Sequence, residues 1–252
     1  MITLTTDFGT ADGYVGEMKG VIASLAPGVP IVDITHDIPP QDIDAARLVV
    51  ERCWDRFPEG TVHIVVVDPG VGTARAPIAA RARGRFLVGP DNGVLSAALA
   101  APGAAAVRLE VPEDASATFH GRDVFAPAAA RLARGEALEA LGPAWTDPCV
   151  LRAPAPFVLP NGDLVGEVLH ADRFGNAVTN ITPDTSAGIV EVAGRELPLA
   201  RTYADVEPGA PLALVGSSGR LEIAIRNGHA ARTLGLTRGS RVVLRAVRVG
   251  GR

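Results

Sequence analysis

Through the first half of the chain, apolar residues switch repeatedly between two spacings. Ile2–Thr6 is a short strand-like run. Tyr14, Met18, Val21, Ile22 and Leu25 then recur at helical spacing until Pro27-Gly28 closes the helix. Residues 31–34 predict a second strand, and Ile43, Ala46, Val50, Cys53 and Trp54 the apolar face of a second helix. Residues 62–67, Val-His-Ile-Val-Val-Val, are almost continuously apolar and β-branched, the pattern of a central strand buried on both faces. A strand over 86–88, a helix over 94–101, a strand over 107–111 and a helix over 124–132 continue the alternation. Alternating strands and helices predict an N-terminal α/β domain, residues 1–150, with a mainly parallel central sheet.

The texture changes near Gly142. Pro143, Pro148, Pro154, Pro156 and Pro160 punctuate the next stretch, and residues 151–159 read as a linker. Beyond it come short β-rich runs at 164–169, 177–181, 189–192, 212–215 and 242–247, with one helix expected over 224–234. Residues 160–252 therefore predict a smaller, mostly antiparallel β domain.

Composition narrows the function classes. With 47% hydrophobic and 21% charged residues, the chain can build ordinary globular cores. A net charge of -4, spread without a basic block, argues against nucleic acid as a partner. Cys53 and Cys149 lie far apart and outside any CxxC pair, so free thiols in a reducing compartment are expected. No apolar run approaches the ~20 residues that span a bilayer, and no signal peptide is seen, so no membrane partner and a cytoplasmic location are expected.

Ligands of open α/β sheets bind at the carboxyl ends of strands. Polar loops fall at those points: Asp7-Phe8-Gly9 with Asp12, Thr35-His36-Asp37, Asp68 to Arg75, Asp91-Asn92-Gly93, and His120-Gly121-Arg122-Asp123. Each alone is weak. Asp7-Phe8-Gly9 copies a kinase magnesium triplet without the remaining kinase motifs. Gly70-x-Gly72 lacks the GK[ST] of a P-loop. His63 sits inside an apolar strand and reads as a core histidine, as do His170 and His229. His36 with Asp37 has no second pair at metal spacing, so no metal site is expected.

Taken in order, the loops resemble the S-adenosylmethionine (SAM) hydroxide adenosyltransferase family, the SAM hydrolases, which are related to the fluorinating and chlorinating SAM enzymes. The similarity runs through Thr5-Thr6-Asp7-Phe8-Gly9, Asp12-x-Tyr14-Val15-Gly16-x-Met18-Lys19-Gly20, Asp33-Ile34-Thr35-His36, Val67 to Thr73, Pro90 to Gly93 and Phe119 to Asp123. It resumes at Asp172-Arg173-Phe174-Gly175-Asn176 and Ser217-Ser218-Gly219, so it spans nearly the whole chain.

The resemblance implies hydrolysis of SAM to adenosine and methionine by an N-terminal α/β and a C-terminal β domain in a homotrimer. The site would be shared between subunits and would use no cofactor, SAM being the substrate. It assigns the attacking water to Asp68, Arg75 and His120, with Asp68 and His120 both candidates for its proton. Asp7 matches a ribose-diol acceptor, Phe8 a further pocket residue, and Asp12 and Asp172 the ammonium ligands. Phe174 and Asn176 match the adenine contacts, and Ser217 and Ser218 the methionine carboxylate donors. The halogenating relatives carry Tyr at the position of Asp68, lack the His at His120 and have Arg at Ser218. A carboxylate repels a halide, so Asp68 favours water. The competing readings are a halide-dependent SAM lyase and a non-catalytic SAM- or adenosine-binding protein.

Overall fold

The computed structural model describes residues 1–185 and 187–245. It divides into two units, Met1–Arg152 and Ala153–Arg252.

In the first unit, β1 (Ile2–Thr6), α1 (Tyr14–Leu25), β2 (Ile31–Thr35), α2 (Ile43–Cys53) and β3 (Val62–Val66) follow in turn. Then come β4 (Pro77–Ala82), β5 (Arg85–Pro90), the short α3 (Ser96–Leu99), β6 (Ala105–Arg108) and α4 (Ala126–Ala133). The sheet order is β2-β1-β3-β5-β4-β6, and only β4 runs against the others. Successive side chains of a strand point to opposite faces, and β3 fills both. Ile64 and Val66 join α1 and α4 in one core, while Val65 and Val67 join α2 and α3 in another. α1 buries Val15, Met18 and Ile22, one stripe of the helix. The Asp42 carboxylate caps α2 by accepting from the Ala45 N–H at 2.9 Å.

Three expectations need correction here. β4 was not foreseen: Pro-Ile-Ala-Ala-Arg-Ala is alanine-rich, and alanine is a weak strand former. It folds back on β5 through Arg83 (φ 45°) and Gly84 (φ 72°), both left-handed as a two-residue hairpin requires. The helix expected over 94–101 shrinks to Ser96–Leu99. The helix expected over 124–132 starts as a π turn, Gly121–Phe125, before α4.

The second unit holds β7 (Phe157–Val158), β8 (Leu164–Ala171), β9 (Ala177–Thr179), β10 (Ile189–Val192) and β11 (Arg195–Ala200). β12 (Pro211–Val215), β13 (Leu221–Ile225), α5 (Ala230–Leu234) and β14 (Arg241–Leu244) complete it. The order β14-β10-β11-β12-β13-β9-β8 closes on itself through a β14–β8 pairing, so these seven strands form a barrel with β7 added to β8. All its pairings are antiparallel except β11–β12. Closure leaves none of the seven ring strands as an edge; β7 is the strand with a partner on one side only. Residues 246 and 247 of the expected last strand lie outside the described residues. The single helix expected over 224–234 is corrected to β13 followed by α5. Leu221, Ile223 and Ile225 pack into the barrel core, and Asn227 (φ 58°) with Gly228 breaks the run. β11 was also missed, since Pro198 and two charged residues mask the inward Leu197 and Leu199.

Candidate active site

β1 has β2 on one side and β3 on the other, so chain direction switches between β1 and β3. At such a switch point the loops leaving the two strands diverge and leave a crevice. A cleft of about 420 Å³ lies there, lined among others by Asp7, Phe8, Tyr14, Gln41, Asp68, Phe119 and His120.

Asp68 is the second residue beyond β3. Arg75, at the far end of the same loop, grips its carboxylate with two parallel bonds. Nε donates to Oδ1 at 3.1 Å, and Nη2 donates to Oδ2. The same Nη2 lies 3.2 Å from Nδ1 of His120, at the mouth of the π turn. Such turns recur at functional sites because they re-aim side chains. The Asp68 and Arg75 side chains are only 5% and 8% exposed. Burial pushes the Asp68 carboxyl above its ordinary range, with the Arg75 charge pulling the other way. Burial, then the Arg75 charge, holds His120 below the ordinary imidazole value. Arg75 does not line the cleft but backs it, its guanidinium 5.7 Å from the Phe125 ring centre.

The two loops touch at a glycine. Gly72 has φ 74°, and a Cβ there would fall 2.6 Å from the Ala117 carbonyl oxygen. Gly72→Ala therefore forces a left-handed alanine, at about 1–2 kcal/mol, and also drives the Asp68 loop from the His120 loop. Reduced turnover with a lowered melting temperature is expected; wild-type rates would show that the loops do not need this approach.

Asp7 follows β1, and its Oδ2 accepts from the Gln41 N–H at 2.8 Å. The loop carrying it is braced by Thr6, whose Oγ1 accepts from the Phe8 N–H (3.2 Å) and meets His36 Nδ1 at 2.8 Å. His36 Nε2 in turn lies 3.1 Å from Asp33, which also binds Lys19. Phe119 packs edge to face with Phe8 and with Tyr14, the latter centred 5.2 Å away, and Phe8 and Tyr14 meet at a tilt. Asp7, Phe8, Asp68 and His120 thus share one cleft, and Arg75 joins two of them. Asp12 is exposed and does not line it.

The remaining candidates belong to the second unit. Asp172 Oδ1 accepts from the N–H groups of Phe174 (2.9 Å) and Asn176 (2.8 Å), and Oδ2 accepts from Asn176 Nδ2 (3.1 Å). This stiff turn carries Phe174 at 78% exposure, so its ring is not part of the core of its unit. Asn176 is buried and also donates to the Tyr203 hydroxyl at 3.2 Å. Ser217 is exposed, while the Ser218 hydroxyl is buried with no hydrogen-bond partner. Sequence reasoning missed Tyr14 and Gln41 as cleft residues and Tyr203 beside Asn176. For Gln41 the available signal was the preceding Pro39-Pro40, which marks a turn; its φ of 66° confirms one.

Among the described residues, no group of three His, Cys, Asp or Glu side chains is placed to hold a metal ion. No helix of those residues is long and apolar enough to cross a membrane.

A crevice at the switch point, lined by aromatic rings and backed by a buried carboxylate–guanidinium–imidazole cluster, defines an α/β protein with a candidate small-molecule site. The chain belongs to the SAM hydroxide adenosyltransferase family: residues 2–142 match the model of its N-terminal domain and 166–243 that of its C-terminal domain. An (R)-S-adenosyl-L-methionine hydrolase from Thermus thermophilus is 46% identical over 95% of this chain and 97% of its own length. A fluorinase from an Actinoplanes species is 30% identical over 89% of this chain and 90% of its own. A crystal structure of a conserved protein from Thermotoga maritima superposes with a TM-score of 0.89 at 36% identity, covering 98% of this chain and 100% of that one.

Proposed function

We propose that this chain is an enzyme that hydrolyses SAM to adenosine and methionine, by attack of water on the ribose C5′. The observation that carries the reading is the Asp68–Arg75–His120 cluster at the cleft. The hydrolase relatives support the substrate.

The chemistry follows from the hydrogen bonds. A bond forms between the water oxygen and C5′ while the C5′–S bond breaks, its electron pair returning to sulfur as a neutral thioether. Water is a weak nucleophile and gives up a proton in the process. Arg75 is always a donor, so His120 Nδ1 must accept from it, and the neutral ring then carries its proton on Nε2. In that tautomer His120 donates to the water and orients it. The Asp68 oxygens accept two bonds from Arg75 and one from the Gly70 N–H, which leaves one lone pair for the proton. Asp68 is therefore the base and His120 the positioner, with in-line alignment supplying much of the rate.

Protonating His120 sets an N–H against the guanidinium, and protonating Asp68 removes the base. The His120 value lies below the ordinary 6.5 and the Asp68 value above 3.8. The rate is expected to hold at neutral pH and to fall on the acid side; a pH profile of kcat/KM checks this, and a rate that rises as pH drops below 6.5 counts against it.

Asp7 is assigned to the ribose diol, Asp12 and Asp172 to the ammonium, Phe174 and Asn176 to adenine, and Ser217 and Ser218 to the carboxylate. Ser218 has an unspent hydroxyl and Phe174 an exposed ring, as those roles need. The sulfonium is a stereocentre, since sulfur carries three different carbon groups and a lone pair. We extend to this chain the (R) substrate form in the relatives' names, and a homotrimer, whose mass in solution is three times that of the chain.

Incubating purified protein with each sulfonium epimer, with and without chloride, tests the reading. Adenosine and methionine released faster from the R epimer support it. A 5′-chloro nucleoside, or tight binding without product, overturns it.

A further inference from the structure

The Asp91-Asn92-Gly93 turn follows β5 and has no part in the chemistry above. It sits where β3 and β5 end and β4 begins. Asn92 Nδ2 donates to the Val67 carbonyl at 2.9 Å, the carbonyl whose peptide plane contains the Asp68 nitrogen. On the other side, the Asp91 N–H donates to the Ala76 carbonyl at 2.9 Å, one residue past Arg75. The turn is itself anchored. The Asp91 carboxylate accepts from Trp145 Nε1 at 2.8 Å and from the Cys149 N–H at 2.7 Å. Asn92 Oδ1 accepts from the Val94 N–H at 3.1 Å, so both ends of the amide are used.

We propose that Asn92 is a positioning residue for hydrolysis: through the Val67 carbonyl it sets the peptide plane from which the Asp68 carboxylate reaches the cleft. The inference rests on the assignment of Asp68 as base. The strand alone does not orient Asp68, because β3 ends at Val66 and the ladder to β5 ends at the Ile64–Val88 pair. The Asn92 amide takes over where that ladder stops. Arg75 fixes the Asp68 carboxylate, and Asn92 fixes the peptide that carries it. A small misplacement of a reacting group is costly, since an error of about 1 Å can cost roughly 100-fold in rate.

The informative variant is Asn92→Asp. It keeps the oxygen that Val94 needs and removes the donor to Val67. Steady-state kinetics on SAM and thermal unfolding are measured for N92D, for Asp68→Asn and for the double variant. N92D is expected to lose about tenfold in kcat with KM within about twofold. In the Asp68→Asn background the same change is expected to have almost no effect, because the group it positions is gone. An unchanged kcat in N92D overturns the proposal, as does a loss carried by KM or an equal loss in both backgrounds. If N92D unfolds at the assay temperature, Asn92→Ser is measured in its place by the same criteria. The two readings fail separately. If Asp68→Asn keeps full turnover, the base assignment falls; if it loses turnover while N92D does not, only the positioning role falls.

Discussion

Asp68→Asn is expected to lower turnover by about 10²–10⁴-fold, the usual contribution of a positioned general base, while the KM for SAM changes little. The amide keeps the size and much of the hydrogen bonding of the carboxylate, yet one of its two positions toward Arg75 becomes an NH2 that cannot accept. It also cannot take the proton of water. His120→Gln is expected to lose less, because glutamine retains a donor able to orient the water. Rapid-quench measurement of adenosine formation compares the two. The order D68N worse than H120Q supports Asp68 as base, and the reverse order assigns the proton to His120.

Arg75→Met carries the second large effect, on stability as well as rate. Asp68 is 5% exposed, and its charge in that setting depends on the guanidinium beside it. Methionine keeps much of the side-chain length but strips the carboxylate of its counterion. Breaking a buried pair on one side typically costs about 3–5 kcal/mol. The Asp68 carboxyl, already raised by burial, then rises further, so the acid limb of the rate moves toward neutral pH. Denaturant unfolding and a pH profile check both parts. A variant as stable as wild type with an unmoved acid limb would show that Arg75 does not hold Asp68 in its charged form.

Much of this was legible in the chain because the relevant signals are local. Val62 to Val67 is apolar except at His63 because both faces of β3 are covered, and that pattern is plain in the sequence. β4 and β13 were not legible. β4 is built largely from alanine, and β13 runs into Ala224, Arg226 and Ala230, which a helix would also accept; only the neighbouring strands decide. The same contrast holds in the site. Asp7 and Asp68 announce themselves as polar residues just past apolar strands. The contact between Arg75 and His120 joins positions 45 residues apart in sequence and depends on the close approach at Gly72. Asn92 reads as an ordinary turn residue, and only its reach to the Val67 carbonyl gives it a role.

The central claim is that solvent itself is the nucleophile at the nucleoside carbon. Incubation with SAM in ¹⁸O-labelled water, followed by mass spectrometry of the products, tests it directly. Adenosine bearing the heavy oxygen at its 5′ position, released together with unlabelled methionine, is the predicted result. Adenosine with only ordinary oxygen, or a nucleoside carrying another group at that carbon, would contradict it.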